Sequence, residues 1–279
     1  MKIRLATMAL LLGVSSPALA EETAPPPDVT ISGSVALVSD YRFRGVSQSD
    51  KGFAVQGGLT VSHSSGAYVG FWSSNLAGWG TFGGPNLELD LIGGYKVPVG
   101  KGATLDVGLT WYTYPGGASK TAFAEPYVKL SGTVGPASLT AGVAYAPKQQ
   151  ALGKWYNTGA SAQTGTPDNP GAKEDNLYLW TDASAGIPSM PITLKGHIGY
   201  SKGNSGLGPN GTSVAPTGEY FDWLIGADIA ISKLTLGVAW VDTDISKKDS
   251  LYLYPNFSRA KDGSSIAGSK VVVSISAAF

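Results

Sequence analysis

The sequence predicts an all-β protein: a closed up-and-down antiparallel transmembrane β-barrel of about 12 strands, with short periplasmic turns and longer external loops. Three observations carry this expectation. Apolar and polar residues alternate at period two over runs about twice as long as the five or six residues of a globular strand. The segments between the runs are short and long by turns. Charge is scarce, at 14% of residues against about 25% in an ordinary soluble domain.

The first run starts at Val29. Val29, Ile31, Gly33, Val35, Leu37, Ser39, Tyr41 and Phe43 fall on one face. Thr30, Ser32, Ser34, Ala36, Val38, Asp40, Arg42 and Arg44 fall on the other, so the pattern predicts one strand through Arg44. A second run carries Phe53, Val55, Leu59 and Val61 on its apolar face. Further apolar faces run from Leu87 to Val97, Ala103 to Trp111, Leu139 to Tyr145, Ile192 to Tyr200, Leu234 to Trp240 and Val271 to Phe279. Less regular strands are expected near 67–74, 122–132, 176–186 and 219–231. Their length suits tilted membrane strands, which need about 9–11 residues. The apolar faces end in aromatics at Tyr41, Phe43, Tyr95, Trp111, Tyr145, Tyr200, Trp240 and Phe279, as interfacial girdles do. The opposite faces hold Gly, Ser, Thr and isolated charges, which suits a wet interior and not the dry core of a sandwich.

The segments 63–66, 98–101, 135–136, 188–191 and 232–233 are short. Those at 45–52, 75–85, 115–121, 148–175, 202–218 and 244–268 are longer and rich in Gly, Pro, Asn, Ser and Thr. This alternation implies an even strand count with both termini in the periplasm. In lipid every strand edge must find a partner, so the first strand should pair with the last. Twelve strands lie between the filled eight-stranded barrels and the open channels of 16–18 strands, implying a narrow or partly plugged lumen.

The N-terminus has the form of an export signal. Met1-Lys2-Ile3-Arg4 is basic, Leu5 to Val14 is apolar, and Ala18-Leu19-Ala20 fits a signal-peptidase site. The expected organisation is a signal peptide over 1–20, a Pro-rich spacer over 21–28 and one barrel over 29–279, placed in the outer membrane. No later run of 18 apolar residues could form a transmembrane helix. The chain has no Cys, which excludes disulfides and thiolate-ligated metals. A formal net charge of +0 argues against nucleic-acid binding.

Val38-Ser39-Asp40-Tyr41-Arg42-Phe43-Arg44-Gly45-Val46-Ser47-Gln48-Ser49 resembles the opening motif of the TorF family of porins. Gly66 to Asn75 (GAYVGFWSSN), Tyr112 to Gly116 (YTYPG) and Val241 to Asp244 (VDTD) are similar in order and spacing. The terminal Phe279, with apolar residues at every second position before it, resembles the assembly signal of Gram-negative outer-membrane proteins. The resemblance implies a bacterial outer-membrane barrel acting as a porin, without specifying a solute.

Inward charges are candidate pore-lining residues: Asp40, Arg42 and Arg44 on the first strand, then Glu88, Asp90, Lys96, Asp106, Glu125, Lys129, Lys195, Asp222 and Asp228. The first three could form a selective constriction or pair with inward carboxylates such as Glu88, Asp90, Asp106 or Glu125. The mixture of signs argues against one strong ion preference. Hydrolysis would require His63 or His197 in a positioned constellation. His63 is expected at a periplasmic turn and His197 inward at mid-strand beside Lys195. The acidic stretches 168–175 and 242–249 lack the spacing of a calcium loop and read as solvated loop charge. Trp79 and Phe82 could plug the lumen or meet lipid or a partner.

These observations predict a monomeric, non-enzymatic outer-membrane porin for passive diffusion of small hydrophilic solutes, with no cofactor or metal. Its partners would be outer-membrane lipid and lipopolysaccharide, the outer-membrane assembly machinery and the solute. The alternative is a closed structural or adhesion barrel that binds ligands through its external loops; a surface hydrolase is a third possibility.

Overall fold

A computed structural model describes residues 27–100 and 102–279. The expected signal peptide, and the spacer up to residue 26, lie outside the described residues. The strands are β1 (Val29–Val38), β2 (Arg42–Phe43), β3 (Val46–Ser47), β4 (Ala54–His63), β5 (Ala67–Asn75), β6 (Leu87–Val99) and β7 (Ala103–Thr113). Then follow β8 (Phe123–Val134), β9 (Ala137–Gln149), β10 (Glu174–Gly186), β11 (Ile192–Lys202), β12 (Glu219–Ile231), β13 (Leu234–Thr243) and β14 (Lys270–Ala278). β1 and β4 to β14 form one closed antiparallel barrel, so twelve strands cross it as expected. β1 closes the ring, pairing with β4 from Val29↔His63 to Val38↔Ala54 and with β14 from Ser34↔Ala278 to Val38↔Ser274. Closure leaves no open sheet edge. No helix is long and apolar enough to cross a membrane.

The period-two pattern sorts as expected. Val35, Leu37, Val69, Leu91, Val107, Leu130, Ile198, Ile225 and Val273 are exposed on the outer face. An outward apolar band of this kind faces lipid in membrane barrels. At the long-loop end Trp111, Tyr145, Phe221 and Trp240 are exposed around it, and Tyr95 and Phe279 lie toward the short-turn end. The tips of the girdle aromatics have polar partners: Tyr145 Oη donates to Asp175 at 2.8 Å, Tyr200 Oη to Glu219 at 2.7 Å, and Trp240 Nε1 to Ser269 at 2.9 Å. Amphipathic aromatics anchored this way suit an apolar–polar boundary.

Phe279 completes the closure. Its amide and carbonyl exchange hydrogen bonds with Gly33 at 2.9 and 2.8 Å. Its ring covers that glycine so closely that a Cβ on Gly33 would lie 2.6 Å from ring carbons. A side chain at Gly33 would push that ring aside.

The first strand is shorter than its pattern predicts. β1 stops at Val38, and residues 39–53 fold into the mouth of the barrel around the two-residue pairing of β2 with β3. Asp40 drives the departure by accepting from Ser47 Oγ at 2.5 Å, Ser49 Oγ at 3.3 Å and Arg42 Nε at 2.8 Å. These local bonds compete with the ladder. Arg44 and Gly45 then turn the chain with φ of 48° and 78°. Tyr41 and Phe43 are therefore not girdle residues: Tyr41 packs edge-on against Trp72 at 5.2 Å, and Phe43 against Tyr112 at 5.7 Å.

Candidate functional site

The lumen differs along its length. At the long-loop end it is filled. Tyr41, Trp72, Tyr112, Tyr114 and Phe123 form a buried cluster with Val38 and Leu76 from the strand ends. Phe82 stacks on Tyr114 at 4.5 Å, and Tyr112 on Phe123 at 4.5 Å. Above them the long connections build a second apolar core from Val46, Trp79, Tyr156, Leu207, Leu253, Phe257 and Ile266. Trp79 thus belongs to the cap over the barrel mouth, and Phe82 to the cluster that fills the lumen beneath it. A short helix, α1 (Gly159–Thr164), joins the cap and begins with a reciprocal Thr158–Ser161 capping box.

Arg44 holds the inward loop against the wall. Its Nη2 donates to both Glu125 carboxylate oxygens, at 2.8 and 2.6 Å, and both side chains are about 5% exposed. Its guanidinium lies 4.0 Å from the Tyr178 ring centre and 4.7 Å from that of Phe43. With the Asn176 amide oriented to satisfy its neighbours, the Asn176 oxygen accepts from Arg44 Nη1 at 2.8 Å. Arg42 is tied down by Asp40 and by the carbonyls of Gly45 and Gly268, at 2.8 and 3.0 Å. Asp40, Arg42 and Arg44 are therefore loop residues and not inward positions of β1; their charges still converge on the lumen.

Below the loop one cavity of about 660 Å³ extends down one side of the barrel. It reaches from Asp40, Arg42 and Arg44 at its top to Pro98, Gly100 and Thr104 at the short-turn end. Ser131, Ser138, Thr140, Ser184 and Thr193 line its lower part. Of the other sequence-predicted residues, Lys195, Asp222 and Asp228 also line it. Glu88, Asp90, Lys96, Asp106, Glu125 and Lys129 face inward on β6, β7 and β8 but do not line this cavity.

Cross-strand register explains the pairing. Asp106 sits directly opposite Lys96 on one side and Lys129 on the other. Lys129 Nζ lies 3.4 Å from Asp106, which also accepts from Tyr68 Oη at 2.8 Å. The Tyr68 and Tyr127 hydroxyls touch, closing off this wall. On the other wall Lys195 donates to Asp228 at 2.5 Å. His197 bridges Asp182, directly opposite it, at 2.6 Å and Asp222 at 3.1 Å, with Tyr178 Oη 2.9 Å from Nε2. Buried charges are tolerable only in such hydrogen-bonded sets. Asp182 shares the inward parity of Tyr178 and Ser184; that parity could have revealed it in the sequence.

Among the described residues no Ser or Thr hydroxyl bonds His197, so the hydrolase constellation does not form there. His63 lies at the β4–β5 turn bonded to Ser65, the place expected for it. Among the described residues no group of three or more His, Asp or Glu could hold a metal ion. Asp168 braces its own loop, accepting from Asn157 N at 2.7 Å.

The sequence profile of the Gcw_chp family, described as a bacterial protein of unknown function, matches residues 21–279. The chain belongs to that family. No curated protein sequence matches it. Among solved structures, the Gcw_chp chain is similar to the NanC porin at 11% identity and a TM-score of 0.51, covering 90% of this chain and 99% of that one. It also matches an outer-membrane channel from Pseudomonas putida F1 at 10% identity and a TM-score of 0.44, over 92% of this chain and 97% of that one. The NanC likeness shows the fold alone: the closed barrel of this chain is similar to that of a porin.

Proposed function

We propose that this protein is an outer-membrane channel for small hydrophilic solutes, with its short turns in the periplasm and its long loops outside. The proposal includes membership of the TorF porins, carried by the Val38–Ser49 motif. Phe279 serves as the assembly signal, and the channel needs no catalytic step. One observation carries the reading: the cavity running from the short-turn end, where Ser, Thr and the Lys195–Asp228 pair line it, up to Arg42 and Arg44. A barrel kept only as a wall would fill that space with apolar side chains, since packed interiors leave few voids larger than water. The resting channel is a periplasm-facing vestibule under a closed external mouth. Solute passes when the loop at 39–53 leaves the wall and the cap above it parts, and the solute's gradient drives it. Opposite charges on the vestibule walls favour neutral or zwitterionic polar solutes over either sign of simple ion.

A second reading is favoured by the apolar cap, which closes the external mouth and presents an ordered surface. On that reading the barrel stays shut and acts through its loops. Single-channel recording on refolded residues 21–279 in planar bilayers separates the two. Discrete openings from a heat-modifiable, folded barrel are expected. Silence from such a barrel under all voltages would reject the channel and leave the closed barrel.

A further inference from the structure

The outer rim of β8, β9 and β10 carries a cluster of lysines that the channel reading does not use. Lys120 lies just before β8, Lys148 near the end of β9 and Lys173 just before β10. They surround an open cleft of about 400 Å³, whose other lining includes Gln149 and Gln150 and no carboxylate. Lys148 is paired loosely with Glu174 at 3.9 Å, and both side chains are exposed.

The cluster is built into the fold. Between Asn176↔Ala146 and Glu174↔Gln149 the β9–β10 register shifts by one residue, a bulge in β9 next to Lys148. Bulges re-aim side chains at barrel rims. Trp155 joins the other two lysines: its ring lies 4.8 Å from Lys120 Nζ, and its Nε1 donates to the carbonyl of Ala172, beside Lys173, at 3.1 Å. Gly153 lets the loop pass against that same Ala172 carbonyl, where a Cβ would collide. The height is also defined. Lys148 is three residues beyond the girdle residue Tyr145, about 10 Å along the strand. Aromatic girdles mark the headgroup level of a membrane. On β12 and β13 the corresponding rim carries Glu219, Asp242 and Asp244 instead.

We propose that the Lys120–Lys148–Lys173 cleft binds the phosphates of a phosphorylated glycolipid headgroup in the outer leaflet. The inference rests on the outer-membrane placement proposed above. The test is titration of the purified, detergent-folded full mature chain with bisphosphorylated lipid A, with dephosphorylated lipid A and with inorganic phosphate, read by native mass spectrometry. A lysine at a lipid surface contributes about fivefold in affinity, so Lys→Gln at all three positions should weaken bisphosphorylated lipid A binding about a hundredfold. Lys247→Gln with Lys248→Gln, on another loop, should leave it unchanged. If the triple variant does not fold, Lys148→Gln alone should still lose about fivefold. Equal binding of dephosphorylated lipid A, equal loss in the Lys247/Lys248 control, or saturation by inorganic phosphate alone would overturn the site. Failure of the outer-membrane placement would show separately, as absence of the protein from the outer-membrane fraction.

Discussion

At the short-turn end the inward positions are Thr104, Ser131, Ser138, Ser184 and Thr193, and an open cavity lies between them. At the long-loop end Tyr112, Phe123 and Tyr178 on three of these strands, and Tyr220 on β12, are all buried. Both ends obey the same alternation and the same register. They differ in side-chain volume and in what the loops add. A barrel of fixed strand number can thus be open at one end and shut at the other, with residues 39–53 as the boundary. The glycines follow this division: Gly199 lies beneath Tyr178 and Gly142 beneath Trp180, where any Cβ would collide with the ring system.

The sharpest way to break the contrast is to remove its boundary. Replacing residues 40–49 with a short Gly-Ser linker should leave the heat-modifiable barrel intact, because every barrel strand keeps its partners. Conductance should rise, with openings becoming longer and more frequent, because the lumen loses Tyr41 and the cap loses Val46. Next in size is the anchor. Glu125→Ala leaves Arg44 buried without its carboxylate, a loss of about 3–5 kcal/mol, and should lengthen open times in bilayer recordings. Phe257→Ala removes a ring that packs edge-on to Trp79 at 4.8 Å. It should cost about 3–5 kcal/mol locally and expose the long loops to protease while the barrel resists.

The barrel itself was legible because its cause is local: side-chain period two, tight turns and a polar inner face are written residue by residue. Nine of the inward charges could be placed by parity, as Asp106 between Lys96 and Lys129 illustrates. The inward loop was not legible, because Asp40, Arg42 and Arg44 keep the strand's alternation while their hydrogen bonds to Ser47, Gly45 and Gly268 take them off the ladder. The bond from Arg42 to Gly268 joins residues 226 apart in sequence, and no periodicity reports such a contact. The cap was hidden for the same reason. Tyr156, Leu207 and Phe257 sit in segments whose Gly, Pro and Ser content reads as loop, and only tertiary assembly gathers them.

Smaller effects refine the comparison. Lys195→Gln removes a vestibule cation and leaves Asp228 unpaired. It should cost about 1–3 kcal/mol and move the reversal potential in a salt gradient toward cation preference, with opening frequency unchanged. The smallest effect lies in the cap. The Ser264 hydroxyl and amide, then Arg259, hold Asp262 down at about 2. A carboxyl depressed on folding contributes stability above its unfolded value of about 4, and that contribution fades as pH falls toward the folded value. The protection of residues 259–264 against hydrogen exchange, taken relative to the intrinsic rate at each pH, should therefore fall between about pH 4 and pH 2, and Asp262→Asn should remove that step.

The most direct test of a lumen open to the periplasm and shut outside uses the absence of native Cys. A single Ser184→Cys variant places one thiol in the vestibule, and Lys247→Cys places one on an external loop. A bulky, membrane-impermeant maleimide should label Lys247→Cys on intact cells at once and leave Ser184→Cys unlabelled. After the outer membrane is permeabilised, both should react. Rapid labelling of Ser184→Cys on intact cells would contradict the closed external mouth, and its failure to react after permeabilisation would contradict the open vestibule.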